Sequence, residues 1–148
     1  MKSVNIAKDI VFYCKQKEIS FDSEKIQNFL YFFIGFSLIH NIEEINKIDE
    51  LPKALRCGIM FIKVECEYNE IINIPQDYIP YIQDEKTANI LKKVVEEWGK
   101  LSSQRLMEWT QEIGSPWYAV SKQNSSVDKT IPLGVIREYF ELNFHDYI

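Results

Sequence analysis

The chain has 148 residues and a mass of 17.5 kDa, the length of one domain spanning 1–148. Its 46% hydrophobic and 14% aromatic residues exclude a disordered chain, because they supply enough apolar area to offset ordering entropy. A net charge of -5, with no basic run longer than Lys92-Lys93, argues against phosphate-backbone binding, and no nucleic acid is expected as a partner. An acidic surface suits solubility or a basic protein partner.

No long apolar stretch follows Met1-Lys2-Ser3, so no secretory signal is expected. Residues 5–17, NIAKDIVFYCKQK, carry apolar side chains at 6, 7, 10, 11 and 14, the spacing of a helix. Asp22-Ser23-Glu24 then offers an N-cap with acid in the first turn. The helix that follows runs through Ile26, Phe29, Leu30, Phe33, Ile34 and Leu38 and is apolar on nearly every side, which predicts the central helix. Its run FLYFFIGFSLI falls short of the roughly 20 residues a membrane span needs.

Residues 41–50 read as a connector or short helix, and Asp49-Glu50-Leu51-Pro52 as the start of a new helix. Beyond it the pattern is double. Ile62, Val64, Cys66 and Tyr68 alternate like a strand, whereas Leu55, Ile59, Ile62 and Cys66 fit a helix, the reading favoured here. A small β element near residues 59–75 stays open. Pro75 and Pro80 punctuate an irregular connection.

Asp84 caps a helix with Ala88, Leu91, Val94, Val95 and Trp98 on one face, stopped at Gly99. Ser102 or Ser103 starts the next, with Leu106, Trp109 and Ile113 inward and its end at Gly114 and Pro116. Residues 123–129, QNSSVDK, form a loop, and 131–143 a last helix through Leu133, Ile136, Tyr139 and Phe140. About six helices predict an all-α or mostly α domain.

A search for chemistry finds little. Nucleophilic catalysis needs a Ser or Cys beside a base. The two histidines, His40 at a helix end and His145 near the C-terminus, flank no nucleophile elbow, although His40 could meet Cys14 in space. Cys14, Cys57 and Cys66 are odd in number and widely spaced, which suits a reducing cytoplasm and gives no zinc pattern. Glu108 and Glu112 share a helix face and read as solvated surface. The five glycines form no phosphate loop. No metal or cofactor is expected, and an interaction protein is expected rather than an enzyme.

Several segments, in order, resemble the Panacea antitoxin domain family. NIAKDIVFYCKQKEIS is similar to the family's opening helix. In EKIQNFLYFFIGFSLIHN, residues 24–41, Ile26-Gln27 and Leu30-Tyr31-Phe32 match its second helix, with Asn28 where Lys is usual. In ALRCGIM, residues 54–60, Ala54, Arg56 and Gly58 agree, while Leu55 and Ile59 replace Trp and Pro. Over residues 90–120, Val94, Gly99, Lys100, Leu101, Ser102, Leu106, Thr110, Pro116 and Trp117 fall in register, and Gln111 stands where the family has His. IPLGVIREYFE is similar to the closing helix, so the resemblance spans about residues 5–141.

The resemblance implies a mainly helical fold, helix rather than strand at 59–70, and an antitoxin role. Members of the family neutralise unrelated toxins by direct binding, occur on phages and mobile elements, and in one branch act as adaptors that deliver the toxin to a protease. It implies a protein partner and a binding patch at Arg56, Gly58, Thr110, Gln111 and Trp117, in a cytoplasmic protein. The expected corner EWTQEIGSPWY, residues 108–118, packs Trp109 and Trp117 and presents Thr110-Gln111 to the partner. Two other functions remain: a phage protein that inhibits a bacterial defence or host enzyme, and a small enzyme around Cys14, Cys57 or His40.

Overall fold

The computed structural model describes residues 1–123 and 129–146. Of the loop expected at 123–129, residues 124–128 lie outside the described residues. Eight α-helices, a 3-10 helix (Glu43–Lys47) in the segment read as a connector or short helix, and one short antiparallel hairpin make up the regular structure of the described residues, a mostly α architecture. None of the helices is long and apolar enough to cross a membrane.

Helix α1 (Ser3–Gln16) buries Ile6, Ala7, Ile10, Val11 and Cys14 completely, as its spacing predicts. Helix α2 (Ser23–Ile39) starts where Asp22 accepts a hydrogen bond from the Lys25 N–H at 2.9 Å. Every residue from Lys25 to Leu38 is buried, so α2 is the axis of the fold. It packs against α1, α5 (Glu85–Trp98), α6 (Ser103–Thr110) and α8 (Leu133–Phe144). Its aromatic side chains lock those contacts. Phe32 stacks on Trp98 with ring centroids 4.6 Å apart, and Phe36 meets Phe140 edge-on at 5.2 Å.

The caps of α5 and α6 follow the sequence. Asp84 accepts from the Thr87 N–H at 2.9 Å and Ser102 from the Arg105 N–H at 3.2 Å. The face of α5 formed by Ala88, Leu91, Val94, Val95 and Trp98 is buried as expected.

Four expectations change. Asp49-Glu50-Leu51-Pro52 starts no helix; it leads into strand β1 (Lys53–Leu55), which pairs with β2 (Gly58–Met60). The acids cap two other helices instead. Lys2, the N-cap residue of α1, makes no side-chain cap hydrogen bond, and Asp49 accepts from the Ser3 N–H at 2.8 Å. Glu50 accepts from the Ser3 hydroxyl and, at 3.0 Å, from the Lys63 N–H in the first turn of α3 (Ile62–Cys66).

Secondly, the helix favoured at 59–70 begins only at Ile62, as α3 and then α4 (Tyr68–Ile72). Leu55 and Ile59 lie on strands, and the buried side chains of the helices are Val64 and Ile71, with Ile62 and Cys66 exposed. The β element sits at 53–60, overlapping only the first residues of 59–75.

Thirdly, the helix after Ser102 ends at Thr110, short of Gly114, and Ile113 is 83% exposed. Fourthly, Ser115-Pro116 opens a further helix, α7 (Pro116–Gln123), in place of a stop. Ser115 Oγ accepts from the Tyr118 N–H at 3.1 Å, and Pro116 occupies the first helical position, where a missing N–H costs nothing.

Candidate functional site

The patch residues come from three elements that meet at one corner. Strands β1 and β2 are joined by Arg56 and Cys57, and both of these residues are exposed. Neither has a positive φ; Gly58 supplies that conformation at φ +127°. The hairpin rests on α6 and α7.

Two contacts fix it there. The indole Nε1 of Trp117 donates to the Leu55 carbonyl at 2.9 Å. Gln111, the C-cap of α6, lies beside Gly58, its Nε2 3.4 Å from where a Cβ on residue 58 would stand. That Nε2 is buried and makes no hydrogen bond among the described residues. A buried donor without an acceptor costs free energy, so this corner holds an unmet polar group.

Arg56, Gly58, Gln111 and Trp117 therefore sit together, with Arg56 at the exposed tip. Thr110 does not present itself as expected. It is 1% exposed, and its hydroxyl is spent on the Met107 carbonyl at 3.1 Å. A Thr at the last position of a helix readily bonds back to a carbonyl of the preceding turn, which is why its side chain turns inward. Trp117 is 9% exposed and Trp109 half-buried, packed edge-on to Trp98 at 4.9 Å. The two tryptophans of EWTQEIGSPWY are thus packing elements.

Beside the hairpin lies a pocket of about 230 Å³. Ser23, Glu24, Gln27 and Asn28 of α2 form one wall, and Cys57 to Met60 of the hairpin another. Glu65 of α3 and Met107 of α6 complete it. Buried Gln27 braces the floor: its side-chain carbonyl accepts from the Phe61 N–H at 2.8 Å, and its amide donates to the Phe61 carbonyl at 3.3 Å. Sequence reasoning missed this pocket. Glu24 read as first-turn acid and Cys57, Met60 and Met107 gave no pattern, since the four meet only when β2, α2 and α6 do.

The groups considered for catalysis are placed differently. Burial pushes the Cys14 thiol up to about 12, so the thiolate that nucleophilic chemistry needs is suppressed. His40 caps the end of α2, and its Nε2 is buried without a hydrogen bond among the described residues; no hydrogen bond joins it to Cys14. Glu108 and Glu112 are exposed, Glu108 paired with Arg105 at 3.2 Å and Glu112 accepting from the Tyr139 hydroxyl. Among the described residues, no group of three or more His, Cys, Asp or Glu side chains is placed to hold a metal ion.

No family model matches the chain, and neither a curated protein nor a solved structure matches it. The site is therefore read from its own geometry.

Proposed function

We propose that this chain is an antitoxin-like protein that binds a protein toxin directly and neutralises it, in the cytoplasm of a bacterium or of a phage-infected one. The observation that carries the reading is the braced hairpin: Arg56 projects from a turn tied to α7 by the Trp117–Leu55 bond. Arginine is among the residues that dominate binding energy at interfaces, and on a braced turn its docking orders the side chain without also having to order the backbone. The ordered resemblance to Panacea domains over about residues 5–141 supports the same reading. In it the protein is a binder without cofactor, and delivery of the toxin to a protease is one route to neutralisation.

The test is co-expression with each reading frame that adjoins the gene, followed by pull-down and mass spectrometry. Growth rescue with a captured neighbour is expected. Arg56→Glu should abolish capture with an unchanged melting temperature. No rescue and no captured neighbour sinks the antitoxin reading; capture of a host defence enzyme instead establishes a phage inhibitor. A folding defect in Arg56→Glu would assign that residue to the architecture.

A further inference from the structure

We propose that the pocket beside the hairpin receives a lysine or arginine side chain of the partner protein, an inference that deepens the binding role proposed above. The donors in the pocket's polar walls are engaged within the protein, the Ser23 hydroxyl by Glu65 and the Gln27 and Asn28 amides by the Phe61 and Glu24 carbonyls. Glu24 and Glu65 line it, Glu65 held by the Ser23 hydroxyl at 2.9 Å. Asn28, only 5% exposed, donates its amide to the Glu24 carbonyl at 2.9 Å, and its own carbonyl oxygen accepts no hydrogen bond among the described residues. No lysine or arginine lines the pocket, so within the lining the two carboxylates are offset only by the N-terminal end of α2 beside Glu24.

The rest of the lining is apolar and soft. Met60 and Met107 are flexible, polarisable side chains that mould to a methylene stem. Long basic side chains combine such a stem with a donor-rich head. The head answers Glu24, Glu65 and Asn28; the stem answers the two methionines. An apolar side chain would strip water from the carboxylates without replacing it, and an anion would be repelled. At about 230 Å³ the pocket is smaller than the roughly 300 Å³ at which small-molecule sites begin, which favours one inserted side chain. The net charge of -5 makes a basic partner the complementary one.

Cys57 lies in the pocket wall and allows a test that needs no partner. In a Cys66→Ser background Cys57 is the exposed thiol, Cys14 being fully buried. The protein is equilibrated separately with cystamine, bis(2-hydroxyethyl) disulfide and 3,3′-dithiodipropionate, each with its own thiol. The Cys57 thiolate displaces one thiol and keeps the other half as a mixed disulfide, read by intact mass. The aminoethyl adduct should be favoured over the hydroxyethyl one by about 1.5-fold to fivefold, the range for a charge pair with exposed carboxylates such as Glu24 and Glu65, and over the carboxyethyl one by more.

Glu24→Gln with Glu65→Gln should remove that preference. Glu85→Gln with Glu138→Gln, an equal charge change away from the pocket, should retain it. No preference, or equal loss in both double variants, overturns the proposal. The two claims fail separately. A captured partner without aminoethyl preference leaves the binding role standing and overturns the pocket's part in it. Preference without any captured partner supports the pocket chemistry and overturns the binding role.

Discussion

A Cβ on residue 35 would stand 2.4 Å from the ring carbons of Phe140, so the bare backbone at Gly35 is the seat on which α8 docks against α2. Glycine inside a helix ordinarily weakens it by roughly 0.5–1 kcal/mol relative to alanine. Here the missing side chain is what lets a buried ring lie on the helix. Phe140 cannot swing aside, because Tyr31, Phe36 and Phe144 surround it. Gly35→Ala should therefore destabilise the fold, since overpacking costs about 1–3 kcal/mol, more than the propensity gain. Chemical denaturation measures this, and Phe140→Leu should recover part of the loss. Unchanged or raised stability in Gly35→Ala would show that α8 is not seated there.

Some of this architecture was legible in the sequence and some was not, for a physical reason. Local signals held: Asp22, Asp84 and Ser102 each cap the helix that follows, because a cap acts over three residues. Asp49-Glu50 carried the same signal and misled. Those acids cap helices begun 46 residues earlier and 12 residues later, at Ser3 and Ile62, a choice made by packing. Ser115-Pro116 fits a helix start as well as a stop, and only the Tyr118 bond decides. At the site, the resemblance marked Gly58, Gln111 and Trp117, whereas the Trp117–Leu55 bond spans 62 residues and leaves no local trace.

Asp9 gives a pH-dependent prediction. Its buried carboxylate ties the irregular segment before α5 onto α1, accepting from the Tyr78 hydroxyl at 2.6 Å and from the Tyr81 and Ile82 N–H groups at 2.8 Å each. Burial pushes its pKa above the ordinary 3.8, outweighing those donors, which pull it down. The folded state then holds this proton more tightly than the unfolded one. The stability that follows is fully present below 3.8 and lost as pH rises through the folded value. Asp9→Asn should cost about 1–3 kcal/mol, because its NH₂ faces an N–H donor where an oxygen stood. Urea midpoints should show wild type ahead of Asp9→Asn by more at pH 4 than at pH 7. A lead that shrinks towards acid would mean that the donors prevail over burial.

Trp117 separates bracing from packing at the proposed interface. Trp117→Phe keeps an aromatic ring in the site but removes the donor to the Leu55 carbonyl. One lost hydrogen bond of this kind costs about 0.5–1.5 kcal/mol, while Trp117→Ala should cost about 3–5 kcal/mol through the cavity it leaves. The Phe variant should therefore fold, with amide exchange accelerated at Gly58 to Met60 before the helices respond. If the hairpin acts as a rigid carrier of Arg56, partner affinity should fall further in Trp117→Phe than its stability does, because the loosened turn must be ordered on binding. Equal affinity beside faster hairpin exchange would show that the Trp117 brace serves the fold and leaves recognition to Arg56 alone.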